Sequence, residues 1–231
     1  MLGTMSVKSA VTLIELLVVL TIIALLMSLL MPLLGVVRQA AYQTQCMASL
    51  RQVGLAITCY VEDQQGWYPT ARQDGVAGAY GSQLHWFEQL TAYAEVGDSD
   101  RSGKVDRRDL QGKGRNVLKD CPTRPPITPI YHYGYGLNGC LRTPGSAFRS
   151  YWNTATDYYL DYREAQVTYP HDRALVGDSG DWHITIDNAK YPDNWSPTRH
   201  RGGSNYLLCD QRVAWQRPEQ ARLAISDPGK L

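Results

Sequence analysis

An uninterrupted apolar segment near the start of the chain limits what this protein can fold into more than any other feature. It covers the 27 residues 11–37, and its only ionisable residue is Glu15. As an α-helix, a segment of this length spans roughly 40 Å, which exceeds the ~30 Å hydrocarbon layer of a bilayer. The segment therefore predicts one membrane-spanning helix.

A secretory signal peptide is the simplest alternative explanation of this segment. Signal peptides carry an apolar stretch of about 7–15 residues, followed by a small-residue cleavage site. The stretch here is about twice as long, and no Ala-x-Ala site follows it before Arg38. We therefore predict that the apolar helix is retained.

Two residues within the apolar segment are unusual. A charged residue such as Glu15 costs about 2.5–3.5 kcal/mol at the centre of a membrane helix on insertion scales. Pro32 removes a helix hydrogen bond and clashes with the preceding turn. Either residue alone would fit an ordinary membrane anchor.

Glu15 and Pro32, taken together with the residues that precede them, match a sequence pattern found in a known protein family. Residues 10–16, Ala-Val-Thr-Leu-Ile-Glu-Leu, follow a short leader that contains Lys8, and they resemble the processing site of type IV prepilins and type II secretion pseudopilins. In that family a membrane peptidase cuts before the apolar run and methylates the new N-terminus. Cleavage between Ala10 and Val11 makes Glu15 the fifth residue and Pro32 the twenty-second, where the family carries an acid and commonly a proline. Ala10 stands where the family nearly always has glycine.

The resemblance implies a structural subunit and not an enzyme. Its expected partners are a prepilin peptidase, other copies or other pilin-like subunits, and the bacterial inner membrane. The Glu15 carboxylate would meet the amino group of Val11 on a neighbouring subunit, because an incoming cation makes a buried carboxylate tolerable. The 23 basic and 22 acidic residues give a net charge of +1, so we expect no nucleic-acid partner.

The helical pattern continues beyond the apolar segment but becomes one-sided. Apolar residues recur at three- and four-residue spacing, at Tyr42, Cys46, Leu50, Val53, Ile57 and Tyr60. The Gln64-Gln65-Gly66 sequence predicts that the helix ends near Asp63. Residues 46–56 and 66–69 also resemble the large pilin-like family of planctomycete-type bacteria. The predicted organisation is a leader (1–10), a transmembrane helix half (11–37), an amphipathic helix half (38–63) and a periplasmic globular head (64–231).

The head contains frequent turn signals and short strand candidates. The candidates cover residues 174–177, 183–186, 204–210 and 213–215, and the last two read as a hairpin with Gln211 and Arg212 as its turn. The predicted fold class is α+β, in which the long N-terminal helix packs on a small antiparallel sheet. This is the pilin-like architecture that the resemblance implies.

Residues 200–210 resemble the C-terminal signature of the same pilin-like family. The signature is a histidine, nine residues and Asp-Gly; here His200 and Asp210 match, and Gln211 replaces the glycine. Glutamine can adopt the positive φ that a turn glycine favours, at an energetic cost. Hydrogen bonding between loop and strand is the expected role of His200, with metal binding or catalysis as alternatives.

Residues 98–109 match a twelve-residue EF-hand-type calcium loop. Oxygen-bearing side chains fall at loop positions 1, 3, 5, 9 and 12, glycine occupies position 6, and the residue at position 7 offers its carbonyl. An aspartate at position 12 resembles dockerin loops. The predicted calcium ligands are Asp98, Asp100, Ser102, Lys104, Asp106 and Asp109.

The five cysteines suit an oxidising compartment and leave at least one thiol outside any intramolecular disulfide. Cys46 and Cys59 lie about 20 Å apart along the helix and cannot bridge. Cys121 and Cys140, which flank a loop rich in proline and tyrosine, are the best candidate pair.

Two other classes of function stay open. One is a membrane-anchored binding module that does not polymerise. The other is a tethered hydrolase, because residues 176–179, Val-Gly-Asp-Ser, resemble the serine block of SGNH-type hydrolases, with His183 or His200 as a candidate base.

Overall fold

The computed structural model of the chain describes residues 12–78, 81–94, 121, 123, 134–138, 162–180, 183–184 and 198–225. The chain divides into two compact units, Met1–Ala41 and Tyr42–Leu231. One α-helix, α1 (Leu13–Asp63), supplies residues to both units. The long apolar N-terminal helix predicted from the sequence is thereby confirmed.

In the first unit, α1 presents apolar side chains on all sides. Every residue from 12 to 39 is exposed. The hydroxyl groups of Thr21 and Ser28 donate to the carbonyl oxygens of Val18 and Leu25, at 2.8 and 2.7 Å. Such bonds satisfy hydroxyl donors inside the helix, as a lipid environment requires. By length and composition α1 can cross a membrane, which supports a membrane anchor.

In the second unit, α1 buries one face. The buried residues are Cys46, Leu50, Val53, Gly54, Ala56, Ile57 and Val61. This set contains most of the predicted apolar stripe, whereas Tyr42 and Tyr60 are half-buried. The helix ends at Asp63, where Gly66 N–H donates to the carbonyl oxygen of Val61 at 2.7 Å. Gln65 and Gly66 take φ values of 56° and 89°, the left-handed conformation that closes many helices.

Seven strands, two short α-helices and one 3₁₀ helix (Glu164–Gln166) complete the described structure. β1 (Arg72–Gly78) and β2 (Gly81–His85) form an antiparallel pair that leads into α2 (Trp86–Gln89). The second sheet has the order β5-β3-β4-β6-β7. Its strands are β3 (Tyr135–Asn138), β4 (Ala174–Asp178), β5 (His183–Ile184), β6 (Ser204–Leu208) and β7 (Val213–Gln216). α3 (Pro218–Ile225) follows β7.

The five-stranded sheet is mixed, so the prediction of a wholly antiparallel sheet was wrong. The chain reverses between β4 and β5, and β5 pairs with β3 on the side away from β4. Because β3 and β5 both run opposite to β4, they are parallel to each other. The other neighbouring strands of this sheet pair antiparallel.

The five-stranded sheet buries apolar side chains in two clusters. Leu207 belongs to the cluster that contains the buried face of α1, together with Leu137 and Val176. Its neighbours Tyr206 and Leu208 belong to the cluster that contains α3. Alternation along β6 therefore places one face of the sheet toward α1 and the other toward α3.

The predicted hairpin is present between β6 and β7, but its loop is longer than the predicted two residues. β6 ends at Leu208 and β7 begins at Val213, so residues 209–212 form the loop. Gln211 N–H donates to the carbonyl oxygen of Leu208 at 3.0 Å. Gln211 has a φ of 69°, which is the conformation favoured by the glycine it replaces in the family signature.

Candidate functional site

Four buried side chains converge where α1 meets the five-stranded sheet. They are Cys46 on α1, Cys121, Asp178 at the end of β4, and His200 in the turn before β6. Their ligand-type atoms all lie within 4.8 Å of one another. We call these four residues the Cys-Asp-His cluster.

Local structure fixes each member of the cluster. One face of α1 is buried and brings Cys46 inward. Antiparallel pairing sets Asp178 opposite Tyr135 of β3, and such partners share a face of the sheet. His200 exchanges two main-chain hydrogen bonds with Gly203, at 2.7 and 3.1 Å, which closes the turn that presents its ring.

Short contacts join the members of the cluster in a ring. Cys46 Sγ lies 3.1 Å from Cys121 Sγ and 3.3 Å from Asp178 Oδ1. His200 Nε2 lies 3.2 Å from Cys121 Sγ and 3.4 Å from Asp178 Oδ2. His200 in the turn before β6 therefore contacts Asp178 at the end of β4.

Neighbouring polar groups support the ring. The main-chain N–H of Asn205 donates to Asp178 Oδ2 at 2.7 Å. The hydroxyl of Tyr135 lies 3.0 Å from Cys46 Sγ, and that of Thr123 lies 3.1 Å from Cys121 Sγ. These contacts hold the ligand atoms in place independently of one another.

The cluster shifts the pKa values of its members in opposite directions. Burial raises the pKa of Cys46 far above its ordinary value, and Cys121 and Asp178 add to the effect. The hydrogen bond from Cys46 and that from His200 lower the pKa of Cys121 to about 5, against the effect of burial. Burial alone would lower the pKa of His200, but Asp178 and Cys121 raise it to about 9.

This arrangement is suited to two kinds of chemistry. Two sulfurs, an imidazole nitrogen and a carboxylate can bind a divalent cation that favours sulfur ligands. Alternatively, Cys46 and Cys121 can be oxidised to a disulfide. The cluster does not correspond to the calcium site expected from the sequence, because calcium takes oxygen ligands.

The structure describes only some of the residues predicted to be functional. Glu15 and Pro32 both lie in α1, Cys121 and His200 lie in the cluster, and Asp210 lies in the hairpin loop. The remaining predicted residues lie outside the described residues: Ala10, Val11, Asp98, Asp100, Ser102, Lys104, Asp106, Asp109 and Cys140. The predicted processing site, calcium loop and Cys121–Cys140 disulfide therefore stay predictions.

Glu15 takes part in a local structure that the sequence analysis did not consider. Its Oε2 accepts from the main-chain N–H and the hydroxyl of Thr12, at 2.8 and 3.0 Å. The main-chain N–H of Glu15 lies 3.3 Å from Thr12 Oγ1. This reciprocal pattern is a capping box, which satisfies free N–H groups at the start of a helix.

Asp210 stabilises the hairpin loop and lies outside the cluster. Its carboxylate accepts from the main-chain N–H of Arg212 at 3.1 Å and from Arg212 Nε at 2.7 Å. His200 and Asp210 therefore have different structural roles. His200 contacts Asp178 and Cys121, whereas Asp210 stabilises the loop between β6 and β7.

Asp178 and Cys46 are site residues that the sequence analysis did not assign. Asp178 was noted only as part of the serine block, and Cys46 only as an apolar position of the helix and as a cysteine that cannot bridge Cys59. In the structure Ser179 of that block is buried, and its hydroxyl donates to the carbonyl oxygen of His183 at 3.2 Å. An acid in an otherwise buried strand was the available signal for Asp178.

Comparisons with known proteins do not identify the chain. No protein-family model, no curated protein and no solved structure matches it.

Proposed function

We propose that this chain is a structural subunit of the pilin or pseudopilin type, anchored in the bacterial inner membrane. A prepilin peptidase would cut between Ala10 and Val11, and the mature subunit would assemble through α1 into a pilus or a secretion pseudopilus. The observation that carries the proposal is the exposure of every residue from 12 to 39 in a helix of this apolarity. Such a surface needs lipid or the helices of other subunits to cover it.

Glu15 provides the specific assembly contact in this proposal. In the single chain its carboxylate is held by Thr12 of the same helix. In an assembly, the amino group that cleavage creates on Val11 of a neighbouring subunit would neutralise it. The carboxylate would then be neutralised only when neighbouring subunits are correctly aligned, and it would act on no substrate.

The remainder of the subunit would face the periplasm. The buried face of α1 packs with the sheet, so that the helix that assembles also carries the head. A calcium ion bound by the loop 98–109 would brace this head, since extracytoplasmic calcium is abundant enough to fill a weak site. Its partners would be the processing peptidase and other pilin-like subunits.

The capping box favours one alternative, a plain membrane anchor that does not polymerise. It explains Glu15 by the local structure of a single chain, with no neighbouring subunit. The two candidate functions differ in whether the leader is removed. Mass spectrometry of the protein extracted from membranes separates them, because an N-methylated Val11 supports assembly and an intact Met1 supports the anchor.

Glu15→Gln tests the role of the charge in assembly. The amide keeps an oxygen that can accept from Thr12, so the helix start and membrane insertion should persist. Fibre yield in a strain that assembles the wild-type subunit should nevertheless fall to background. Thr12→Ala is the matched control, because it weakens the cap and keeps the carboxylate. If Glu15→Gln assembles normally, the charge has no part in assembly.

A further inference from the structure

We propose that the Cys-Asp-His cluster is a structural zinc site that fastens α1 to the sheet of the head. Each of its four residues offers one ligand atom, and all four residues are almost completely buried. Cysteine sulfur, histidine nitrogen and aspartate oxygen are all donors that bind zinc. The inference does not depend on whether the subunit polymerises.

Four of the six distances between the ligand atoms approach those of a zinc tetrahedron, and the other two are no longer than 4.8 Å. With Zn–S bonds of about 2.3 Å and Zn–N or Zn–O bonds of about 2.0 Å, neighbouring ligand atoms lie roughly 3.3–3.8 Å apart. The four contacts around the ring measure 3.1, 3.2, 3.3 and 3.4 Å. A zinc ion therefore requires the sulfurs to separate by about half an ångström to one ångström, with no rearrangement of the strands.

The hydrogen bonds of Cys46 show why a cation suits this position. Its thiol has one proton, yet both Cys121 Sγ and Asp178 Oδ1 lie within 3.3 Å of its sulfur as acceptors. One proton cannot serve both. On zinc binding, any proton carried by the two sulfurs or the coordinating imidazole nitrogen would pass to solvent, because zinc binds thiolates and neutral imidazole. The metal then neutralises groups that otherwise compete for one donor.

A disulfide between Cys46 and Cys121 satisfies the buried polar atoms of the cluster less well than zinc does. Forming it removes both thiol protons, together with two electrons that an external disulfide would accept. In the part of the chain that the structure describes, Cys46 is the one hydrogen-bond donor to Asp178 Oδ1. Oxidation would remove this donor from a buried carboxylate oxygen, which is costly. Zinc would instead bind it.

The surroundings indicate a structural and not a catalytic metal. All four ligands come from the protein, and catalytic zinc sites keep a position open for water or substrate. Asn205 N–H holds Asp178, and the hydroxyls of Tyr135 and Thr123 contact the two sulfurs. Such outer contacts orient ligands before the metal arrives.

The test uses the full-length chain, purified in mild detergent and analysed first without reductant. Peptide mass mapping establishes which cysteines are oxidised, and elemental analysis counts zinc per chain. The protein is then reduced, stripped with a chelator and titrated with Zn²⁺ or Co²⁺. Asp178→Asn removes one ligand charge at nearly constant volume, Cys46→Ser removes one sulfur, and Cys59→Ser is the control on the exposed side of the same helix.

We expect one zinc per chain for wild type and Cys59→Ser, with sulfur-to-cobalt charge-transfer absorption after Co²⁺ addition. Asp178→Asn should bind zinc at least about tenfold more weakly, and Cys46→Ser should lose about half of the charge-transfer intensity. A Cys46–Cys121 or Cys121–Cys140 disulfide in the purified protein would overturn the proposal. Wild-type protein that binds less than one zinc per chain would also overturn it, and so would an Asp178→Asn variant whose zinc affinity is unchanged. Both results can be obtained even if Cys46→Ser fails to fold.

Discussion

Replacing Gln211 by glycine should stabilise the head. The residue holds a φ of 69° in the loop between β6 and β7, and a residue with a Cβ atom loses about 1–2 kcal/mol in that conformation. Glycine carries an opposing cost of about 0.5–1 kcal/mol, because its unfolded chain is more flexible. The main-chain bond from Gln211 to Leu208 does not depend on the side chain. We therefore expect a net gain of roughly 0.5–1 kcal/mol.

Comparison with alanine isolates the backbone term of this prediction. Gln211→Ala loses the same side-chain contacts and keeps the Cβ atom, so Gln211→Gly should be the more stable variant by about 1 kcal/mol. Gln211→Asn should fall between them, because asparagine tolerates the left-handed conformation. These differences correspond to about 2–4 °C in melting temperature for a domain of this size.

Tryptophan fluorescence during urea unfolding is the appropriate assay. All six tryptophans follow residue 66 in the sequence, so their emission reports the head and not the apolar helix in the detergent micelle. The transition midpoints should move while the denaturant slopes stay constant. If Gln211→Ala proves as stable as Gln211→Gly, the loop does not impose the positive φ, and the reasoning fails.

Two further predictions concern packing and calcium. Gly203→Ala should destabilise the head by about 1–3 kcal/mol, because a Cβ atom there would lie 2.5 Å from Trp215 ring atoms and the Gln216 carbonyl oxygen. Gly202→Ala, which meets no atom within 4 Å but has a φ of 82°, should cost less in the same urea titration; a cost equal to or above that of Gly203→Ala would contradict the steric argument. Asp98→Ala should lower the melting temperature in calcium but not in chelator, and an equal loss in both conditions would exclude the calcium loop.

The sequence predicted α1 well, because its signals are local. Side chains spaced at three and four residues form one face of any helix, and Gln65 and Gly66 supply the conformation that ends it. The strands were harder to predict. Candidates covering β4, β5, β6 and β7 were recognised, whereas β3 carries a glycine and an asparagine in four residues and reads as a turn. β5 is parallel to its neighbour because that neighbour is β3. The local sequence near residue 183 does not indicate which strand β5 pairs with.

The cluster could not be predicted, because it depends on contacts between distant parts of the chain. Cys46 is 75 residues from Cys121 and 132 from Asp178, and Cys121 is 79 from His200. No spacing rule for metal ligands covers separations that the fold itself must close. The sequence offered only separate signals: Cys46 on the predicted buried face of the helix, Asp178 at the end of a predicted strand, and His200 in residues 200–210.

Two sequence resemblances were noted separately, one over residues 46–56 and 66–69 and one over residues 200–210. Each includes a residue of the Cys-Asp-His cluster, Cys46 in the first and His200 in the second. Cys46 opens the helical stretch, and His200 opens the C-terminal signature, yet each contacts both Cys121 and Asp178. In the proposed assembly, the helix through which subunits contact one another also carries the head. Apolar packing resists separation without fixing direction, whereas a four-ligand site or a covalent bond fixes specific atoms. Whichever chemistry the cluster carries, its position joins the buried face of α1 to the five-stranded sheet.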